Sequence, residues 1–272
     1  YAKSAKDNTV YNAAGVSYDN SETFKVGENN IQSISAANSG IWNRLKNTSA
    51  ENGASYWTTV SSSHSTVTTA EKFVGNNAFK TTMNASSSTY QGHKQSLSLV
   101  AGTYTFSAYV KTTGVTGSGG ALLAIMNSSG TVLTRSEYIT GTTSTDIQNG
   151  WRRISATVTL SSATTVSVFA GLYKATGTVY TDALQLESGN TYSEYNMIES
   201  AGFEQALYWT GTGTSVNQYS AEYWQGNCSA YITGDVSTNK SLSQTINLAQ
   251  PAGSTFVLSG WAKGNSVKIE DG

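Results

Sequence analysis

Tyr109 and Trp261 each stand two residues before a lysine, Lys111 and Lys263, and each falls opposite the apolar face of its predicted strand. An aromatic ring fixed on a sheet surface beside a basic group makes a flat apolar platform with a hydrogen-bond donor at its edge. The surface that complements it is a sugar, with apolar C–H faces and a rim of hydroxyls. Tyr173 shares a strand face with Phe169, and Gln185 projects opposite Leu184 and Leu186. On one sheet, Tyr109, Lys111, Tyr173 and Gln185 would line a polar and aromatic groove for a polysaccharide or other glycan, with Trp261 taking the Tyr109 position further along the chain. The competing reading packs these aromatics under a loop or against a neighbouring strand. Trp57 and Trp151 read as structural.

Catalytic chemistry has no comparable support. Glycoside hydrolysis needs two carboxylates at a set separation on a cleft, and no strand alternates Asp and Glu so as to place them on one face. His64 and His93 lie in Ser- and Gln-rich polar stretches with no acidic or cysteine partner beside them, so both read as exposed loop histidines. No G-x-S-x-G elbow or P-loop occurs, and "GSGG" near Gly117 reads as a turn because no helix or Lys-Ser/Thr follows it. Cys228 is the single cysteine, which rules out a disulfide framework and a cysteine-rich zinc site; it reads as a small buried hydrophobe. The chain therefore reads as a binding or structural protein and not an enzyme. With 12% charged residues and a formal net charge of -1, it lacks the clustered Lys and Arg that nucleic acid or an anionic membrane would need. No apolar run reaches the length of a membrane span, so no membrane insertion is expected.

These side chains must be positioned by strands. Low charge with abundant Thr, Ser, Gly and Tyr favours β structure. In "GTYTFSAYVKTTG", Tyr104, Phe106, Ala108 and Val110 share one face, while Thr105, Ser107, Tyr109 and Lys111 share the other. "WRRISATVTL", "TTVSVFAGLYKATG" and "TVYTDALQLESG" alternate in the same way between Gly, Ser, Thr and Asn clusters. No stretch sustains a helical period. The pattern predicts an all-β sandwich or barrel.

The chain also repeats itself. "RLKNTSAENGASYW" at Arg44–Trp57 returns as "MIESAGFEQALYW" at Met197–Trp209. Glu51 and Glu204 are 153 residues apart, Trp57 and Trp209 152, Gly75 and Gly226 151, and Lys111 and Lys263 152. A register held this well over a domain-sized period predicts tandem modules rather than a solenoid. The first complete module runs over 44–196, and 197–272 is the N-terminal half of a second. The core face of that half, with Phe256, Leu258 and Ala262, would lack part of its cover. Residues 1–43 read either as a linker or as the last strand of a preceding module, since "GVSYDNSETFKVG" loosely matches "TVYTDALQLESG". On this reading the chain is part of a longer multidomain protein.

The opening N-x-S-x-E (Asn47 to Glu51) followed by Trp57, the central "GTYTFSAYVK", and the closing "WRRISATVT" and "TGTVYTDALQLESGNTYSEYN" together resemble family 4/9/22-type carbohydrate-binding modules. The run from "LQLESG" through "SEYN" into "MIESAGFE" is similar to tandem modules of secreted YD-repeat (RHS, wall-associated) proteins of Gram-positive bacteria. The resemblance implies a jelly-roll β-sandwich of two antiparallel sheets, one concave and carrying a glycan site, in a secreted or cell-surface protein. A structural spacer or protein-protein interaction module without a glycan ligand is the alternative. The resemblance further implies a structural calcium ion (Ca2+) in many members. Carried over by position, its acidic ligands are Glu51 and Asp182, supplemented by backbone carbonyls near Asn47 and Ser49. Such an oxygen set suits calcium; the alternative is that the two carboxylates accept from turn amides.

Overall fold

A computed structural model describes residues 2–3, 9–11, 17–19, 43–145, 148–203, 208–223, 228–246 and 258–263. The chain divides into two compact units, 1–41 and 42–272. In the first, strands β1 (Ala2–Lys3), β2 (Thr9–Tyr11) and β3 (Ser17–Asp19) form a small antiparallel sheet in the order β1-β2-β3.

The second unit is an antiparallel jelly-roll sandwich built from β4 (Thr58–Thr59), β5 (Ser65–Thr68), β6 (Ala78–Met83), β7 (Gln91–Leu99), β8 (Gly102–Asn127), β9 (Val132–Arg135), β10 (Arg152–Leu160) and β11 (Thr164–Ser188). Among the described residues there is no α-helix, only a short 3-10 turn at Gln148–Gly150. Two strands are far longer than the rest: β8 and β11 pair with each other from Val166↔Asn127 at one end to Ser188↔Tyr104 at the other. Register shifts at Tyr173/Ala175, Thr176/Thr178 and Asp182/Gln185 bend the pair. Its two halves recruit different neighbours. The first sheet runs β10-β8-β11-β6-β5, and the second runs β9-β8-β11-β7-β4. The "GSGG" stretch thus lies inside β8 at the bend and is no terminal turn.

Alternation places the core where the sequence puts it. Tyr104, Phe106, Ala108 and Val110 of the first sheet pack against Leu123, Ile125, Val168 and Leu172 of the second in one buried cluster, which also takes in Trp57. Trp151 is buried as well, so both tryptophans are structural. Two polar residues of β7 enter this interior. His93, which the sequence places in an exposed loop, is 1% exposed, tilted on Phe79 at 4.6 Å, and neither ring nitrogen has a hydrogen-bond partner. Its strand position, directly opposite Ala170, sets the side chain inward despite the polar neighbours. His64 is half-buried in a serine turn, its Nδ1 within 2.9 Å of the Ser61 hydroxyl. Gln95, two residues beyond His93, clamps the incoming chain: its Nε2 donates to the Lys46 carbonyl and its Oε1 accepts from the Lys46 amide, both at 2.9 Å.

Immediately after that clamp the backbone takes up left-handed residues at Asn47, Ala50 and Tyr56 (φ 51, 58 and 69), and the Trp57 indole donates to the Asn47 carbonyl at 3.0 Å. The same arrangement recurs at the head of the segment after Asn196. Ser200, Phe203 and Tyr208 have φ of 52, 53 and 70, the Trp209 indole donates to the Ser200 carbonyl at 3.2 Å, and Gln244 grips the amide and carbonyl of Glu199 at 2.9 Å each. Short strands follow, β12 (Thr210–Thr212) pairing β15 (Ser241–Ser243) and β13 (Asn217–Tyr219) pairing β14 (Ser229–Tyr231). Leu258 is 47% exposed, Cys228 is half-buried rather than fully buried, and Phe256 lies outside the described residues.

Both inward polar residues give measurable consequences. Gln95→Met keeps the volume but leaves the Lys46 amide unpaired, while the Lys46 carbonyl keeps the Trp57 indole at 2.9 Å, and should cost about 1 kcal/mol in urea denaturation; a cost near zero would deny the clamp its role. Burial holds the His93 imidazole down from 6.5 to about 4. The unfolded chain therefore takes up a proton that the folded chain refuses as pH falls through that window. Stability present above pH 6.5 should decline toward pH 4, by at most about 3 kcal/mol. His93→Leu should flatten that slope relative to the parent when unfolding is followed across the same range.

Candidate functional site

The first sheet does not leave its outer face open. Residues 189–197 run across it as a strap. Thr105 Oγ1 donates to the Gly189 carbonyl at 2.9 Å, the Ser193 amide donates to Glu187 Oε1 at 2.6 Å, and the Asn196 amide donates to Gln185 Oε1 at 3.1 Å. Gln185 Nε2 is bonded to Glu187 in turn, so Gln185 is wholly buried and satisfied by the protein itself. On the same face Phe73 lies flat on Tyr109 (centroids 3.6 Å, interplanar 12°), with the Arg153 guanidinium 5.5 Å from the tyrosine ring. Tyr109 is 7% exposed. Lys111 Nζ is 2.7 Å from Glu71 Oε2.

The groove expected from Tyr109, Lys111, Tyr173 and Gln185 is therefore not assembled. Three of its residues lie on a covered face, and Tyr173 lies on the other sheet. The alternation was right, but an outward polar position can meet a polar strap as readily as solvent. Trp261, at the position that corresponds to Tyr109, is 51% exposed, and the neighbouring Lys263 pairs with Glu222.

The loop that carries Phe73 is held by the two carboxylates proposed as calcium ligands. Asp182 Oδ2 accepts from the amides of Phe73 and Val74 at 2.7 and 3.0 Å, and its Oδ1 from the Ala183 amide at 2.7 Å. Glu51 Oε1 accepts from the amides of Asn76 and Asn77 at 2.8 and 2.9 Å. Gly75 allows the wrap: at φ +69, a Cβ there would fall 2.4 Å from Glu51 Oε1. Burial lifts the Asp182 carboxyl well above the ordinary range, against the pull of its three amides. The carbonyl of Asn47 is taken by the Trp57 indole, and the Ser49 hydroxyl lies 3.4 Å from Glu199 Oε1. Calcium seeks six to eight oxygens. Here N–H groups point at the oxygens it would need, and among the described residues no three His, Cys, Asp or Glu side chains converge. This arrangement fits amide capture and does not fit a resident cation.

The outer face of the second sheet is different. Tyr90, just before β7, stacks on Tyr173 (centroids 4.3 Å, interplanar 13°) and meets Phe169 edge-on at 5.3 Å. Leu122, Ala124, Met126 and Phe169 make a buried apolar floor beneath Tyr90, Tyr138 and Tyr173, all three half-exposed. Directly opposite Tyr173 in the ladder is Gly120, where a Cβ would stand 3.0 Å from Tyr138 Cβ. The missing side chain lets the 138–139 segment of the chain close over the strand, the Ile139 carbonyl oxygen lying 2.8 Å from where that Cβ would stand. Burial raises the Tyr90 phenol, Tyr138 and Tyr173 add to the shift, and Arg135 opposes it, which places all four in one electrostatic neighbourhood. Arg135 sits 4.0 Å from the Tyr138 centroid and Lys174 5.3 Å from that of Tyr173.

Of this cluster the sequence yielded only Tyr173 with Phe169. Tyr90 and Tyr138 belong to no alternating run. The usable signal was glycine inside a strand, which marks close approach of a ligand or backbone.

No family model matches the chain, and no curated protein matches it. Several solved structures are similar to it in part. A family 61 carbohydrate-binding module in complex with β-1,4-galactotriose is 15% identical, with a TM-score of 0.37 over 54% of this chain and 99% of that one. The C-terminal family 22 carbohydrate-binding module of Clostridium thermocellum Xyn10B is 17% identical, with a TM-score of 0.40 over 54% of this chain and 94% of that one. An arabinose-bound α-L-arabinofuranosidase is 18% identical, with a TM-score of 0.40 over 55% of this chain and 27% of that one. Likeness at this distance assigns neither a ligand nor a residue role.

The grip on the 73–77 loop predicts that Gly75→Ala lowers stability by about 2 kcal/mol, from the clash with Glu51 and the left-handed φ. Chelation with EGTA should leave the thermal midpoint where it is. A drop of several degrees on chelation, reversed by added calcium, would return Glu51 and Asp182 to a cation.

Proposed function

We propose that the sandwich is a non-catalytic glycan-binding module of a secreted or cell-surface protein, and that a polysaccharide lies on the outer face of the second sheet. The observation that carries this reading is the half-exposed cluster of Tyr90, Tyr173 and Tyr138 over an apolar floor on an otherwise uncovered sheet face. These rings over their apolar floor form an aromatic slot at the surface, against which a sugar ring can stack by its C–H face. Within the paired strands no Asp or Glu among the described residues projects from this face, and Glu137, next to Tyr138 in the chain, is paired with Arg152, so the face offers no acid and base pair for glycoside cleavage. Tandem copies would add affinity through effective concentration.

A second reading, a spacer or protein-protein module with no glycan, is favoured by the strap that seals the first sheet and by Glu199. This residue follows the strap and accepts from the Thr48 amide and hydroxyl at 3.0 and 2.8 Å, joining consecutive segments directly.

A broad glycan array probed with the whole chain tests the proposal. Tyr173→Ala and Tyr138→Ala should each weaken the best binder about tenfold, the scale of a lost aromatic contact, while Tyr109→Phe should leave it unchanged. An array without a binder, or a Tyr173→Ala protein that binds like the parent, would leave the spacer reading.

A further inference from the structure

We infer that the glycan taken by this face is an anionic one, with a negatively charged substituent at the edge of a ring stacked on the tyrosines. The inference rests on the glycan reading above and adds the charge of its ligand.

Three cations stand on or beside the slot. Arg135 is exposed and lies over Tyr138, Lys174 is exposed and lies near Tyr173 at the bend of β11, and Lys94 is opposite Phe169 in the ladder. Five carboxylates of the sandwich are committed elsewhere. Glu51 and Asp182 hold the 73–77 loop, Glu71 pairs with Lys111, Glu137 with Arg152, and Glu187 binds the strap. The chain as a whole carries a formal net charge of -1, so a face bearing three cations and, within its described paired strands, no Asp or Glu, with neighbouring Glu137 neutralised by Arg152, is a local segregation. It does not follow from overall basicity.

The geometry favours recognition of an edge charge. A sugar set against the Tyr90, Tyr173 and Tyr138 cluster projects its ring substituents sideways, along the slot. Arg135 and Lys174, held over the Tyr138 and Tyr173 rings, stand where those substituents pass. Arg135 spends one donor on the Ser136 carbonyl at 2.8 Å, which orients the guanidinium. A planar fork of N–H donors matches a carboxylate or sulfate better than it matches a lone hydroxyl. The shared chemistry is a carboxylate or a sulfate ester on the ring, and the two sources are separable by experiment.

The test is affinity electrophoresis and calorimetry of the whole chain with polygalacturonic acid, its methyl-esterified form, dextran sulfate and dextran, at low and high salt. The expected result is binding to polygalacturonic acid or dextran sulfate, weakened by salt, with the esterified and neutral polymers bound at least tenfold less tightly. Whichever acid binds identifies the substituent. Arg135→Gln and Lys174→Gln should each weaken binding about fivefold, Arg135→Lys should keep most of it, and Lys72→Gln, far from the slot, should not change it. Equal affinity for charged and neutral polymers would overturn the inference and leave the glycan reading standing. Binding that ignores Arg135→Gln and Lys174→Gln, or falls equally with Lys72→Gln, would also overturn it. Failure to bind any polymer, together with a silent glycan array, would remove both.

Discussion

The sandwich depends on one antiparallel pairing. β8 and β11 stay hydrogen-bonded to each other through both sheets, so the two layers are halves of a single bent ribbon to which shorter strands are added. The bend must occur without leaving buried amides unpaired. It is met by register shifts and by residues that tolerate unusual backbone angles, among them Gly117 (φ 150), Lys174 (φ 48) and Gly177 (φ 104). Once the ribbon is bent, the even-numbered residues of the first half of β8 and their partners on β11 face the interior. The fate of the odd-numbered ones depends on what else the chain lays over them.

The two outer faces meet different fates. On the first sheet, Asp182 and Glu51 capture the amides of the 73–77 loop, that loop sets Phe73 on Tyr109, and the strap closes over Gln185 and Glu187. Buried carboxylates and amides of this kind are tolerable because each finds a partner, and each would be costly without one. The second sheet has no equivalent strap among the described residues. Its aromatic groups cover an apolar floor and remain half-exposed themselves.

The fold was legible in the sequence because strand alternation is a local property. Tyr104 to Val110, the β10 run and both halves of β11 fell where their periodicity put them. What covers a face is not local. Nothing about Gln185 or Tyr109 announces that "NTYSEYN" and "KFVGNN" will fold over them, and His93 sits among polar neighbours while its strand register turns it inward. The candidate site was legible only in part for the same reason. Tyr173 lies on a clear strand, whereas Tyr90 and Tyr138 come from segments brought to the slot by the ladder and by the absent side chain of Gly120.

The glutamine clamp has a consequence for how such chains can vary. Gln95 and Gln244 read only the backbone of the residue they hold, so the side chain there is free to differ: Lys46 in one place, Glu199 in the other. At the second position that freedom has been put to use, since the Glu199 carboxylate reaches back to Thr48 and Ser49. One residue is thereby held from ahead through its main chain and from behind through its side chain. Consecutive segments are tied at Glu199 by hydrogen bonds on both sides of it, and not by a bare stretch of backbone.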